Sequence, residues 1–156
     1  MLIVQIKKKV HYVSVDFSQN EDFFEKLKEN GFDMNLPTCF VMEGVTYYLN
    51  WDDVRNTFQK IAKQAQKDSI LAFDFASDEF TRGLHLAAQV GEPPKFGLAN
   101  DETPANKFLP LGFRSVEIWF GNHEIYHRYG MQVQNMSQVG RRENSSTKMH
   151  FCCLKV

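Results

Sequence analysis

Residues 38–75 read TCFVMEGVTYYLNWDDVRNTFQKIAKQAQKDSILAFDF, and the succession of patterns in this stretch decides the fold. CFVM (39 to 42) is a short apolar run that stops at Glu43-Gly44, and ILAF (70 to 73) is a second such run. The residues between them are helical in pattern. Asn50 stands where a cap is needed, Asp52 and Asp53 fall in the first turn, and Val54, Phe58, Ile61, Ala62 and Ala65 make one apolar stripe. A strand, a helix and a second strand in this order imply two parallel strands joined by a crossover helix.

Working outward, further apolar runs follow the same alternation: VHYVSV (10 to 15), SVEIWF (115 to 120) and MHFCCLKV (149 to 156). The first three runs of the chain read as buried parallel strands, whereas SVEIWF alternates. A helix is expected from Asp22 to Asn30, closed by Gly31, another near Ser77, and one from Asp101 to Leu111 before Gly112. GEPPKFG (91 to 97) is a turn-rich loop, and residues 132–148 form a long polar connection. Residues 1–156 are expected to form a single α/β domain.

Composition narrows the function. The chain carries 18 Lys plus Arg against 19 Asp plus Glu, with no basic cluster beyond KKK at 7–9 and RR at 141–142, so nucleic acid is not expected as a partner. Three cysteines, two of them adjacent at Cys152 and Cys153, fit neither a disulfide framework nor a zinc knuckle. They suit a reducing, cytoplasmic setting. No apolar run is long enough to span a bilayer, and the start MLIVQIKKK places its charges after the apolar residues, the reverse of a secretory signal, so no membrane association is expected.

One motif points elsewhere. NHEIYHRYG (122 to 130) contains His123-Glu124-x-x-His127, a spacing that lets two imidazoles on one helical face share a zinc ion. A catalytic zinc needs a third protein ligand, and the extended motif fails because Val133 stands where histidine is required. Glu143 lies in a polar loop pattern and is a poor substitute. The stretch reads better as a surface helix ending at Gly130, and no metal is assigned.

Three strands, in contrast, lead into carboxylates: Asp16 after VHYVSV, Glu43 after CFVM and Asp74 after ILAF. In a parallel sheet all three would meet at the carboxyl edge, where open α/β folds bind ligands. Acids there suit hydroxyls, amino groups or positive charge, and suit phosphate badly. The plainer alternative is that each caps the helix that follows its strand.

The segments VHYVSVDFSQ, LKENGFDMNLPTCFVMEGVTYYLNWDDVRNTFQKIA and SILAFDF together resemble the leucine carboxyl methyltransferase-like family of S-adenosylmethionine-dependent O-methyltransferases. The most specific piece is Glu43-Gly44-x-x-x-Tyr48-Leu49, with GFD and PT ahead of it and GEPPKFG, LGFRS and RYG behind. The resemblance runs from Val10 to the C-terminus. It implies a partial Rossmann-like (class I) methyltransferase sheet with helices on both faces, lacking the first two strands. It implies S-adenosyl-L-methionine as cofactor, with Asp16 accepting from the adenine amino group, Phe17 near the base, and Glu43 and Gly44 beside the methionine portion. Tyr47 and Tyr48 fall on the substrate side, facing a small-molecule or protein-carboxylate methyl acceptor. No catalytic base is assigned, because an ionised carboxylate acceptor needs alignment more than deprotonation.

The family's glycine-rich cofactor turn and ribose-binding acid are not found, since the nine glycines include no G-x-G. The chain is therefore expected to be the C-terminal portion of a methyltransferase domain, binding cofactor weakly or not at all. The alternatives are a non-enzymatic binding or dimerisation remnant of that fold and, less favoured, a zinc hydrolase. The fold's strand order, 3-2-1-4-5-7-6, implies that four strands here stay contiguous while VHYVSV loses its neighbour. It could pair with CFVM, or with LIVQI (2 to 6), or with a second chain. A homodimer through the N-terminal strands is the favoured outcome, because Leu2, Val4 and Ile6 alternate on one face.

Overall fold

The computed structural model describes residues 10–79, 81–82, 93–99, 101–120 and 149–156. Among these residues four strands form one sheet: β1 (Cys39–Met42), β2 (Ile70–Ala76), β3 (Ser115–Phe120) and β4 (Met149–Lys155). Their order is β1-β2-β4-β3, with β1 parallel to β2 and β4 antiparallel to both β2 and β3. This is the contiguous strand set that the resemblance implies, the last strand of the chain slotting between two earlier ones.

Register explains how the sheet builds a core. Phe40, Leu71, Leu154 and Val116 lie in one cross-strand row, and Met42, Phe73, Cys152 and Ile118 in the next. All eight belong to or pack against one hydrophobic cluster on a single face of the sheet. That face is covered by α2 (Trp51–Gln64), whose Val54, Phe58 and Ile61 are buried, with Ala62 and Ala65 half-buried beside them. Phe58 sits edge-on to Phe73 at 4.8 Å and near Phe108 at 5.6 Å. Phe108 belongs to α3 (Pro104–Phe108), which Thr103 caps by accepting from the Asn106 N–H. The expected helix over 101–111 is thus one short α-helix followed by a 3₁₀ turn, Leu109–Leu111, closed by Gly112 at φ 112°.

The first helix, α1 (Phe23–Glu29), has its cap at Asp22, which accepts from the Phe24 and Glu25 N–H groups. It ends as expected at Gly31, φ 87°, where the Gly31 N–H reaches Lys28 O and the Phe32 N–H reaches Leu27 O. Phe24 is fully buried and meets Phe40, so α1, α2 and α3 share one face of the sheet. The opposite face carries Cys39, Val41, Ile70, Ala72 and Cys153 in register, and Val41 is 66% exposed. Helices expected on that second face fall outside the described residues. The chain turns helical at residues 78–79, close to the helix expected near Ser77.

Three expectations need correction. VHYVSV does not join the sheet among the described residues; it runs beside the core with Val13 and Val15 half-buried and Tyr12 exposed. Its pairing with CFVM is thereby overturned for the described residues, while LIVQI lies outside them. β1 in turn has no second neighbour among the described residues and shows alternating exposure, so it is not a strand buried on both faces. Finally, Asn50 occupies the cap position of α2, yet its side chain makes no capping bond; its Nδ2 donates to Asp53 at 3.3 Å. Among the described residues no helix is long and apolar enough to cross a membrane.

Candidate functional site

The stretch Glu43–Leu49 leaves the carboxyl end of β1 as a tight turn, made possible by Gly44 in the left-handed region at φ 71°. Glu43 is exposed at the edge of the sheet. Thr46, fully buried, opens a 3₁₀ turn (Thr46–Tyr48) and donates its hydroxyl to the carbonyl of Asp74 on β2. Asp74 returns a second tie, its Oδ1 accepting from the Gly44 N–H at 2.9 Å. A third comes from the far loop, whose Lys95 and Phe96 N–H groups both reach Tyr47 O. Three separate pieces of sequence, EGVTYY, FDF and KFG, therefore converge on one turn.

Asp74 is only 4% exposed and sits inside β2 rather than at its end, because that strand runs on to Ala76. Burial pushes its carboxyl above the ordinary range, with the Gly44 bond pulling the other way and the charge of Glu43 adding to the rise. The Tyr47 phenol is raised by burial first and then by the charge of Asp74. Tyr47 and Tyr48 rings lie 4.7 Å apart, Tyr48 being the more exposed, at 41%. The edge is thus acidic, with aromatic rings beside it and no basic side chain bonded to either acid in the hydrogen bonds and ion pairs of the described residues.

Asp16 behaves differently. Its Oδ1 accepts from the Ser18 N–H at 2.9 Å and the Ser18 hydroxyl at 2.6 Å, capping a 3₁₀ turn (Phe17–Gln19). Those bonds to Ser18 hold its carboxyl below the usual range, with Lys26 contributing. The turn is fixed to α2 by Lys60 Nζ, which donates to Asn20 O and Glu21 O at 2.8 Å each. Of the three acids expected at strand ends, Asp74 lies inside β2 and feels the charge of Glu43 after β1, while Asp16 is anchored through Ser18 and follows no strand among the described residues. The capping alternative holds for Asp16. Phe17 beside it is half-buried and packs against the core. Sequence reasoning did not single out Thr46 or Lys95, whose roles run through a hidden hydroxyl and a main-chain N–H. HEIYH lies outside the described residues.

A parallel β1-β2 pair with an antiparallel β4 inserted between β2 and β3 makes a Rossmann-like sheet. Solved structures share it. A DUF574 family protein from Streptomyces avermitilis MA-4680 matches with a TM-score of 0.55 at 14% identity, over 92% of this chain and 54% of that one. A SAM dependent methyltransferase from Archaeoglobus fulgidus matches with a TM-score of 0.53 at 12% identity, over 87% of this chain and 66% of that one. At these identities the likeness is one of fold, and the chain spans between about half and two thirds of the length of these structures. In sequence, the leucine carboxyl methyltransferase family model matches over residues 2–62, and the chain is similar to that family over that segment. That stretch holds Asp16, Phe17, Glu43, Gly44, Tyr47 and Tyr48. Comparison with curated proteins gives no match.

Proposed function

We propose that this chain contributes to an S-adenosyl-L-methionine-dependent O-methyltransferase of the carboxyl-methyltransferase kind. The observation that carries the reading is the acidic turn Glu43-Gly44, locked by Asp74 at the carboxyl end of β1. The residues fit the cofactor in charge: two coupled carboxylates suit a sulfonium and an ammonium group, and would repel a phosphate. Glu43 and Gly44 would hold the methionine portion, and Asp16 and Phe17 the adenine. Asp16 makes both of its Ser18 bonds through Oδ1, which leaves Oδ2 to accept from an amino group.

When bound, the cofactor supplies a methyl group on a positively charged sulfur. The chain's own residues bind and align. Tyr47, with its hydroxyl over Gly44, and Tyr48, exposed beside it, would orient an acceptor oxygen on the far side of that methyl group. An ionised carboxylate acceptor carries no proton to remove, so no base is needed. Calorimetric titration with S-adenosylmethionine tests the reading. Weak binding, lost in both Asp16→Ala and Glu43→Ala, is expected; tight binding unaffected by either change would overturn the assignment.

A second reading keeps the fold without the chemistry, as a binding or dimerisation surface. It is favoured by β1, whose outer edge has no ladder partner among the described residues and whose Val41 is exposed. Light scattering separates the two: a stable dimer weakened by Val41→Pro, with no cofactor binding, supports the second. A monomer at high concentration removes it.

A further inference from the structure

Asp74 is the only carboxylate buried among the described residues, and nothing about a half-buried β-strand requires an acid there. Its neighbours Phe73 and Phe75 supply the packing, and its partner across β4 is Phe151. What the carboxylate does is accept from Gly44 N–H at 2.9 Å, while its own carbonyl takes the Thr46 hydroxyl. Gly44 stands in the left-handed region at φ 71°, and the Tyr47 hydroxyl lies where a Cβ on Gly44 would meet it at 3.7 Å. A buried negative charge is thereby set close to Glu43, and the repulsion between the two acids is relieved when a cation sits between or beside them.

We infer that Asp74 is a positioning residue of the cofactor site: its carboxylate fixes the Gly44 amide and so sets the direction in which Glu43 faces the ligand. This rests on the reading of Glu43 as a cofactor contact. Asp74 acts through the turn and does not itself touch the reacting atoms. Among the described residues the titratable groups that act on it are Glu43 and Tyr47; His150 on β4 stacks against Phe75 at 5.2 Å, on the other face of the sheet.

Nitrogen-15 NMR of the full chain, without ligand and then with S-adenosylmethionine at millimolar concentration, tests this. In the ligand-free protein the Gly44 amide shift should follow a titration above the usual carboxylate range, and should still do so in Glu43→Gln. Asp74→Asn keeps an acceptor oxygen, so amide protection should persist while the titration disappears. Asp74→Ala should speed Gly44 exchange by about tenfold or more and weaken cofactor binding by a similar factor. Asp74→Asn should weaken binding by less, and should remain folded if the alanine variant does not. Unchanged Gly44 exchange in Asp74→Ala, or an unchanged titration in Asp74→Asn, would overturn the inference. Equal cofactor affinity in wild type, Asp74→Asn and Asp74→Ala would also overturn it, leaving the site reading intact. Wild-type protein whose Glu43–Tyr48 resonances ignore the cofactor would overturn the site reading and this role together.

Discussion

Gly97 offers a sharp test of how the site is held. A Cβ built there would lie 2.6 Å from Asp78 Cα and 2.7 Å from both Asp78 N and Thr81 Oγ1. Carbon atoms in contact prefer ~3.5–4.0 Å, so Gly97→Ala must move a backbone by roughly 1 Å. Two routes absorb the strain. Overpacking that stays in place costs about 1–3 kcal/mol. Alternatively the loop lifts away, breaking the Leu98 N–H bond to Ala76 O (2.9 Å) and the Asp78 N–H bond to Leu98 O (2.8 Å), at about 0.5–1.5 kcal/mol each. Both give a similar total. With a urea m-value of about 2 kcal/mol/M, the midpoint should fall by roughly 0.5–1.5 M. The same loop supplies the Lys95 and Phe96 N–H groups to Tyr47 O, so loosening should reach the Glu43 turn. Circular dichroism in urea, combined with amide exchange at Asp78, Leu98 and Phe96, reads both effects. A variant within ~0.3 kcal/mol of wild type, with those amides equally protected, would refute the packing argument.

Phe58→Ala, which empties a fully buried site bordered by Phe73, Phe108 and Phe113, should cost about 3–5 kcal/mol in urea unfolding; a loss below ~1 kcal/mol would mean the cluster is not the core. Alkylation at mildly alkaline pH, read by mass spectrometry, should modify exposed Cys39 first and leave Cys152 untouched in the native protein, since burial pushes that thiol up to about 12. Early labelling of Cys152 would contradict its place in β4. Because the folded Asp74 carboxyl lies above its ordinary value of 3.8, its stabilising contribution is full below that value and is lost as pH rises through the folded pKa. Asp74→Asn should therefore gain stability relative to wild type as pH rises from about 3.5 towards neutrality, and a difference independent of pH would contradict this.

The strand–helix–strand core was legible because its signals are local. CFVM and ILAF are short apolar runs, the α2 stripe repeats at helical spacing, and Gly31 and Gly112 mark helix ends through their backbone freedom. Strand order was reached only through the family resemblance, since nothing local in MHFCCLKV says that it inserts between β2 and β3. VHYVSV misled for the same reason: its pattern is that of a strand, but a strand is defined by a neighbour, and among the described residues none pairs with it. Asp16, Glu43 and Asp74 all read as acids that follow apolar runs. What separates them is burial and partners, Ser18 for Asp16 and Gly44 for Asp74, and these depend on loops that composition does not place.

The most direct test of the central claim is to irradiate the chain with ultraviolet light in the presence of methyl-labelled S-adenosylmethionine and map the labelled peptides by mass spectrometry. Binding with a dissociation constant of order 0.1–1 mM suffices for this measurement. The label should appear in peptides holding Glu43–Tyr48 or Asp16–Phe17, compete away with S-adenosylhomocysteine, and fall in Glu43→Ala. Label confined to the outer face of α2 around Asn56 and Lys63, or no competable label at millimolar cofactor, would contradict a cofactor site at the carboxyl end of β1.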